Sequence, residues 1–351
     1  MYRKTYANVY LNNIKNNVNK IIEKYNNYKY YIGVVKADSY GHNGYEVVKF
    51  IIDGGCNYLA VSSLDEALEI REYFDIPILC LGIINSKYIS ICEENNIDIT
   101  VTNLDYLKEI KDRNINIHIK IDTGMNRLGV KEKKEFNSMI ELIKESDLKL
   151  KGIYTHIYNA SNKGAVDKQI NVFKNITSDV DLNKIDIVHI AQSDTLVNYP
   201  KIDFCNGCRL GIIMYGLTNN DLELKNTIEL VSEIIEIKKI KKGDTVSYNG
   251  TYEASEDEII GIVSIGYADG VNRHLKGSYV YINNKKYEII GNICMDICMV
   301  DVTDAVCNVG DKVEIFGENI PVTQIASQLD TIPYEILTSI SQRVKRVYYR
   351  E

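Results

Sequence analysis

Apolar and polar positions fall into blocks through the first two thirds of the chain: short apolar runs recur, and most of the intervals between them are amphipathic. The runs predict strands at residues 30–35, 57–62, 77–82, 97–102, 115–122, 150–156, 185–191 and 208–215. The pieces between them carry helix signatures. Ser63-Leu64-Asp65-Glu66 fits a capping box, and Leu64, Ala67, Leu68 and Arg71 follow helical spacing. Strands alternating with helices imply parallel pairing. Eight such units close into a (β/α)8, TIM-like barrel, with an open doubly wound sheet as the alternative.

After residue 217 the texture changes to alternating segments punctuated by glycine, at residues 245–252, 258–266, 278–283 and 312–316. Period-two alternation and a tight turn such as Asn283-Asn284 predict a mostly antiparallel β domain. Residues 6–11 also alternate and are assigned to that domain. The expected division is a barrel over residues 11–220 and a β domain built from residues 1–10 and 221–351. Two domains suit a chain of 351 residues, which exceeds the size at which a single core stops growing.

Composition narrows the function classes. Hydrophobic residues make up 45% and charged residues 25%, as in ordinary folded chains. A net charge of −7 offers no broad basic surface for nucleic acid. Tyr2-Arg3-Lys4-Thr5-Tyr6 has none of the apolar character of a leader, and no apolar stretch is long enough for a bilayer, so no membrane is expected and the cytoplasm is the expected compartment. Of the eight cysteines, Cys56, Cys80, Cys92, Cys294 and Cys298 sit in apolar surroundings and read as small core residues in a reducing compartment; Cys205-Asn206-Gly207-Cys208 lacks the second ligand pair a metal site needs.

The candidate chemistry starts at YIGVVKADSYGHNGYE, where Lys36 ends an apolar run and Tyr40 follows just before glycines. An amine and a phenol where a strand gives way to a helix suit a carbonyl cofactor bearing a phosphate, typically pyridoxal phosphate. A snorkelling lysine at an ordinary strand end is the competing reading. In a barrel, chemistry sits on the loops at the carboxyl ends of the strands. Lys36 follows the first strand, Arg127 the fifth, His156 ends the sixth, Ser193 follows the seventh and Arg209 lies at the start of the eighth region, and together they would face one mouth. A phosphate site is expected after strands seven and eight, at Ser193 and the amides around Gly211 and Ile212.

The motifs VVKADSYGHN, KIDTGMNRLG, YTHIYNAS, HIAQSD, RLGIIMYG, VSYNGTYEA, GYADGVNR, GNICMDICMVDVT and RVKRVY occur in this order nearly end to end. In them the chain resembles the alanine racemases, pyridoxal-phosphate enzymes of fold type III with a barrel and a C-terminal β domain. The resemblance implies that Lys36 holds pyridoxal 5′-phosphate covalently and is one of two acid/base groups. The other would be Tyr267, contributed across a homodimer with shared active sites. By resemblance His156 bonds that tyrosine and Arg209 supports His156 while facing the pyridine nitrogen. Tyr40, Ser193, Gly211, Ile212 and Tyr348 match phosphate contacts, and Arg127 and Met295 match substrate contacts. Lys120 matches a lysine that is commonly carbamylated; unmodified, a chloride or other anion would take that role. The implied activity interconverts L- and D-alanine, supplying D-alanine for bacterial cell-wall precursors.

The chain departs from the family at Asn292, usually arginine, at Gln192, usually asparagine, at Asp38-Ser39, usually Asn-Ala, and at Lys345, usually proline. None removes a proton-transfer group. They leave open serine against alanine, which small pockets discriminate only modestly, ~100-fold; Tyr348 favours alanine. A decarboxylase on the same fold would place a carboxylate at the pyridine nitrogen, and Arg209 argues against it. A non-catalytic pyridoxal-phosphate carrier would lack the second domain and Tyr267.

Overall fold

The computed structural model describes residues 2–218 and 222–350. After β1 (Tyr6–Tyr10) come the eight parallel strands of a closed barrel: β2 (Tyr30–Val34), β3 (Tyr58–Val61), β4 (Ile78–Cys80), β5 (Ile97–Val101), β6 (Asn116–Lys120), β7 (Lys149–Tyr154), β8 (Ile187–His189) and β9 (Gly207–Leu210). Each pairs with the next, and β2 closes on β9 with Ile32 opposite Arg209. Every residue of β3, β4, β5, β8 and β9 is buried; β3 and β4 accordingly read as continuous apolar runs, while β5, β8 and β9 also bury the polar Asp98, His189 and Arg209. The helices between them bury one stripe, as Phe136, Met139 and Ile143 do in the helix Lys133–Lys144. The (β/α)8 expectation holds.

The expected strand over residues 208–215 is shorter. The chain leaves β9 at Leu210, and residues Ile212–Tyr215 form a 3-10 turn that is as buried as a strand, so its apolar composition gave no warning. At Ser63 the helix cap forms, its side chain accepting from the Glu66 amide. The Glu66 carboxylate turns instead to Ser62 and Ala37.

The remaining strands are β10 (Ile228–Ile240), β11 (Thr245–Val246), β12 (Tyr252–Glu253), β13 (Glu258–Val263), β14 (Tyr279–Ile282), β15 (Lys285–Ile290), β16 (Cys298–Asp301), β17 (Lys312–Phe316) and β18 (Lys345–Tyr349). Eight strands make one sheet in the order β13-β16-β15-β14-β17-β10-β1-β18, mostly antiparallel, with β1 parallel to β18. The strand expected over residues 245–252 is broken, because Ser247, Asn249 and Gly250 take positive φ values of 67°, 65° and 52° and turn the chain between β11 and β12. Asn283 and Asn284, at φ 46° and 69°, make the two-residue hairpin joining β14 and β15.

The chain divides into two compact units, residues 14–39 with 44–224, and residues 1–13, 40–43 and 225–351. Among the described residues no helix is long and apolar enough to cross a membrane.

Candidate active site

Lys36 is half-buried just beyond β2 and opens a turn in which Ala37, Asp38, Ser39 and Tyr40 all have positive φ, from 51° to 56°. Left-handed backbone costs a non-glycine residue ~1–2 kcal/mol, so four in succession must be held by their surroundings. Glu66 supplies one hold: its Oε1 accepts from the Ala37 amide at 2.8 Å and its Oε2 from the Ser62 amide at 2.7 Å. The Ser39 amide donates to the Val35 carbonyl at 2.9 Å.

Lys120 closes β6 and is buried. Burial first, then the nearby charges of Arg127, Arg209 and Lys36, push its amine down to about 8, against an opposing pull from Asp122. His156, two residues beyond β7, is pushed down to about 3 by burial and then by Arg209, Arg127, Lys120 and Lys36. The charges acting on Lys120 and His156 are those of Lys36, Arg127 and Arg209, so the barrel gathers these residues around the two groups. Arg127 is carried by a short excursion from the end of β6, pinned where the Asp122 amide donates to Val130 and the Val130 amide to Lys120, both at 2.9 Å. The Asp122 side chain accepts from the Gly124 and Asn126 amides. Gly129, at φ +125°, closes the excursion where a Cβ would lie 2.7 Å from the Asp122 nitrogen.

Arg209 is buried in β9 and donates from Nη1 to His189 Nδ1 at 2.6 Å and from Nη2 to the Thr155 carbonyl at 2.8 Å. Burial lowers its pKa to about 10, which leaves the guanidinium charged at neutral pH. Its contact with the His156 segment is thus through the carbonyl one residue earlier. The His156 carbonyl itself accepts from Gln169 Nε2 at 3.0 Å. Ser193 Oγ accepts from the Gly211 amide at 3.2 Å and the Ile213 amide at 3.5 Å, which joins the loop after β8 to the turn after β9. Gln192 caps the helix Ser193–Asn198 by accepting from the Asp194 amide, so this departure keeps a capping oxygen.

In the second unit, Tyr267 and Met295 are neighbours: the Tyr267 amide donates to the Cys294 carbonyl and the Ala268 amide to the Met295 carbonyl, both at 3.0 Å. Both side chains are exposed, at 41% and 52%. Buried Asp269 braces this turn, accepting from Arg3 Nη1 and Nη2 at 2.7 Å each and from the Gly266 amide at 2.9 Å, with Arg343 Nε at 3.1 Å. Tyr40 is buried, its ring 5.7 Å from that of Tyr334, and burial raises its hydroxyl pKa. Tyr348 lies in β18 opposite Val9. Arg346 donates from Nε and Nη2 to the Gly41 carbonyl. Asn292 donates to the Tyr248 carbonyl at 2.7 Å.

Sequence reasoning did not single out Glu66, Arg3, Asp269, Gln169, Arg346, or the buried polar group of Tyr58, Asp98, His118 and His189. Motif position marked His189 and Asp269 only as parts of HIAQSD and GYADG. Their partners lie far away in the chain, and no local pattern announces them.

Two family profiles match the chain, "Alanine racemase, N-terminal domain" over residues 9–219 and "Alanine racemase, C-terminal domain" over residues 227–348. The alanine racemase of Staphylococcus saprophyticus is 37% identical over 369 aligned positions, covering 99% of this chain and 95% of that protein. The crystal structure of alanine racemase from Bacillus anthracis with bound L-Ala-P superposes with a TM-score of 0.93 at 34% identity, covering 100% of this chain and 96% of that one. The alanine racemase of Bartonella henselae, solved with covalently bound pyridoxal phosphate, superposes at 0.90 and 26% identity, covering 99% of each chain.

Proposed function

The chain belongs to the alanine racemase family, an isomerase family, and we propose that it interconverts L- and D-alanine using pyridoxal 5′-phosphate, Lys36 and Tyr267 of the partner subunit. The observation that carries this reading is the convergence of Lys36, Lys120, Arg127, His156 and Arg209 at one end of the barrel. Four cations lowering one another's neighbours is an electropositive site. It fits a phosphate dianion together with a substrate carboxylate. Ser193, Gly211 and Ile212 would hold the phosphate through a hydroxyl and backbone amides.

When bound, pyridoxal phosphate supplies an electron sink that acidifies the Cα–H bond of an amino acid. The protein then has to move a proton from one face of Cα to the other. A single base that returns its proton to the same face restores the starting enantiomer, so two groups are needed. Lys36 Nζ serves one face and the Tyr267 hydroxyl of the partner subunit the other. A free amine and a free phenol, with reference pKa values of ~10, are poor bases at neutral pH, so a site that uses them has to tune them. His156 is neutral throughout the physiological range. It serves the tyrosine as a hydrogen-bond partner without adding a competing charge. Arg209 gives no proton at neutral pH, so a ring nitrogen facing it stays unprotonated, which weakens the sink and restrains side reactions.

Arg127 and the Met295 backbone of the partner subunit grip the substrate carboxylate. Lys120, pushed down to about 8, is partly neutral at physiological pH. Its free amine is competent to form an N–C bond to carbon dioxide with loss of a proton, giving a carboxylate that orients Arg127; otherwise chloride fills that place. Two exposed side chains on adjoining, hydrogen-bonded segments, Tyr267 and Met295, support a homodimer in which each chain completes its partner's site. The role follows from the family: D-alanine made in the cytoplasm for cell-wall precursors.

The test is chiral analysis of products from the purified, pyridoxal-phosphate-loaded protein given L-alanine and L-serine in parallel. Rapid D-alanine with slow D-serine is the expected result. A preference for serine would move the substrate assignment, and no conversion despite bound cofactor would overturn the racemase reading.

A further inference from the structure

The barrel interior behind Arg209 holds a line of buried polar side chains that the proton transfers above do not use. Arg209 Nη1 meets His189 Nδ1 at 2.6 Å. His189 Nε2 lies 3.2 Å from His118 Nδ1. His118 Nε2 lies 3.6 Å from Asp98 Oδ2 and 3.4 Å from the Tyr58 hydroxyl. Tyr58 donates to Asp98 Oδ2, and Asn116 Nδ2 donates to Asp98 Oδ1 at 2.9 Å. Asp98, His118, His189 and Arg209 are each at most 4% exposed.

Donor chemistry allows one arrangement of hydrogens along this line. Arginine only donates, so His189 Nδ1 must accept. A neutral His189 then carries its hydrogen on Nε2 and donates it to His118 Nδ1. His118 in turn carries its hydrogen on Nε2, directed at the Asp98 carboxylate. An imidazolium at either histidine would set hydrogen against hydrogen somewhere between Arg209 and Asp98. Burial first, then the charge of Arg209, hold the His189 pKa well below its ordinary value, in keeping with a neutral ring. Burial works to raise the Asp98 pKa, but bonds from His118, Tyr58 and Asn116 outweigh it and hold the carboxyl below the ordinary range.

The packing fixes the rings as well as the hydrogens. Tyr154 stacks on His189 with centroids 4.5 Å apart and planes 12° apart, and the Arg209 guanidinium sits 5.3 Å over the same tyrosine ring. Gly152 leaves room for His118: a Cβ there would lie 2.3 Å from Nδ1 and 2.6 Å from Cε1. A glycine in mid-strand is thereby explained by the imidazole passing over it.

We propose that Asp98, His118 and His189 form a tautomer lock, a set of positioning residues that fixes the orientation of Arg209 from behind and leaves it the sole cation of the line. The anchoring charge is Asp98, four strands away from Arg209 around the barrel. The consequence for catalysis rests on the proposed function, in which Arg209 faces the cofactor's ring nitrogen. If its tip swings, the cation that restrains side reactions is misplaced. The lock itself is independent of that reading.

The experiment is 15N NMR of the imidazole groups in the pyridoxal-phosphate-loaded protein labelled at histidine, feasible because the chain has five histidines. The expected result is a protonated Nε2 and a bare Nδ1 at both His118 and His189. A hydrogen on His189 Nδ1, or a doubly protonated ring at either position, would overturn the lock without any variant having to fold. The same spectra of Asp98→Asn should show the opposite tautomer gaining population. Its kcat for alanine should fall roughly tenfold, the scale of one hydrogen bond to a charged group, with KM little changed and conversion of the cofactor to pyridoxamine phosphate increased. Gly152→Ala, which displaces His118, should move the same three readouts in the same direction. A reversed tautomer with unchanged turnover and unchanged cofactor loss would overturn the positioning role. A wild-type protein that shows the expected tautomers but racemises nothing leaves the lock standing and counts against the proposed function instead.

Discussion

The barrel mouth and the turn that carries Tyr267 are built by opposite means. Around Lys36, Lys120 and Arg209 the groups are half to fully buried, close enough for the cations to lower the pKa values of Lys120 and His156, and held by side chains of the same unit. Tyr267 and Met295 stand exposed, and what is buried beneath them is the brace: Asp269 with Arg3 and Arg343. One region has its electrostatics installed within the chain. The other has its backbone fixed and the side chain proposed as a base exposed. A residue held rigidly yet left in solvent is what a chain offers to another copy, and the proposed two-subunit site rests on that difference between the two regions.

Lys36→Ala should give the largest effect. Pyridoxal phosphate should no longer resist removal by dialysis and racemisation should disappear; a covalently retained cofactor would remove Lys36 from its role. Tyr267→Phe should come next, slowing the two directions unequally in isotope-exchange measurements, since it takes the base from one face of Cα only. Equal and unchanged exchange rates would exclude it as a base.

Asp269→Ala separates brace from base. Loss of the buried carboxylate leaves Arg3 without its bidentate partner and should cost about 1–3 kcal/mol in denaturant unfolding. It should lower kcat while leaving bound cofactor intact. Intact kcat in the folded variant would show that the turn holds without the brace.

Lys120 gives the smallest effect. Its folded pKa, about 8, lies below the unfolded value of 10.5. Between those values the unfolded chain binds more protons, so in buffer free of carbon dioxide this group makes stability rise with pH from about 8 to 10.5 and disfavours folding below that window. Lys120→Met should flatten the rise when unfolding midpoints are compared at the two ends of the window; an identical slope would contradict a buried amine.

The fold was readable wherever burial imposed one pattern. Strands β3 and β4 are covered on both faces and appear as unbroken apolar runs, and β5, β8 and β9 are as buried although each carries a polar residue, Asp98, His189 or Arg209. The same rule misled at Ile212–Tyr215, a buried turn with a strand's composition. It also hid β10, whose first half is buried on both faces while its second half is not, so that neither pattern runs its length. The motif residues were legible through their resemblance to a family, whereas the groups that hold them were not. His118 and His189 are separated by 71 residues and Arg3 and Asp269 by 266, and nothing in the local sequence records such pairings. The left-handed run after Lys36 was equally silent, because Ala37, Asp38, Ser39 and Tyr40 include none of the glycines that usually mark positive φ.

The most direct test of a shared site is to mix Lys36→Ala and Tyr267→Phe proteins after dissociation and allow them to re-pair. Each pure variant lacks one base at every site. A hybrid dimer has one site with neither base and one site with both, provided Tyr267 acts across the interface. Random re-pairing makes half the dimers hybrids with one intact site each, so activity should return to about a quarter of the wild-type value per total protein. Activity that stays at the level of the separate variants, with hybrid dimers verified by mass, would contradict a Tyr267 supplied by the partner.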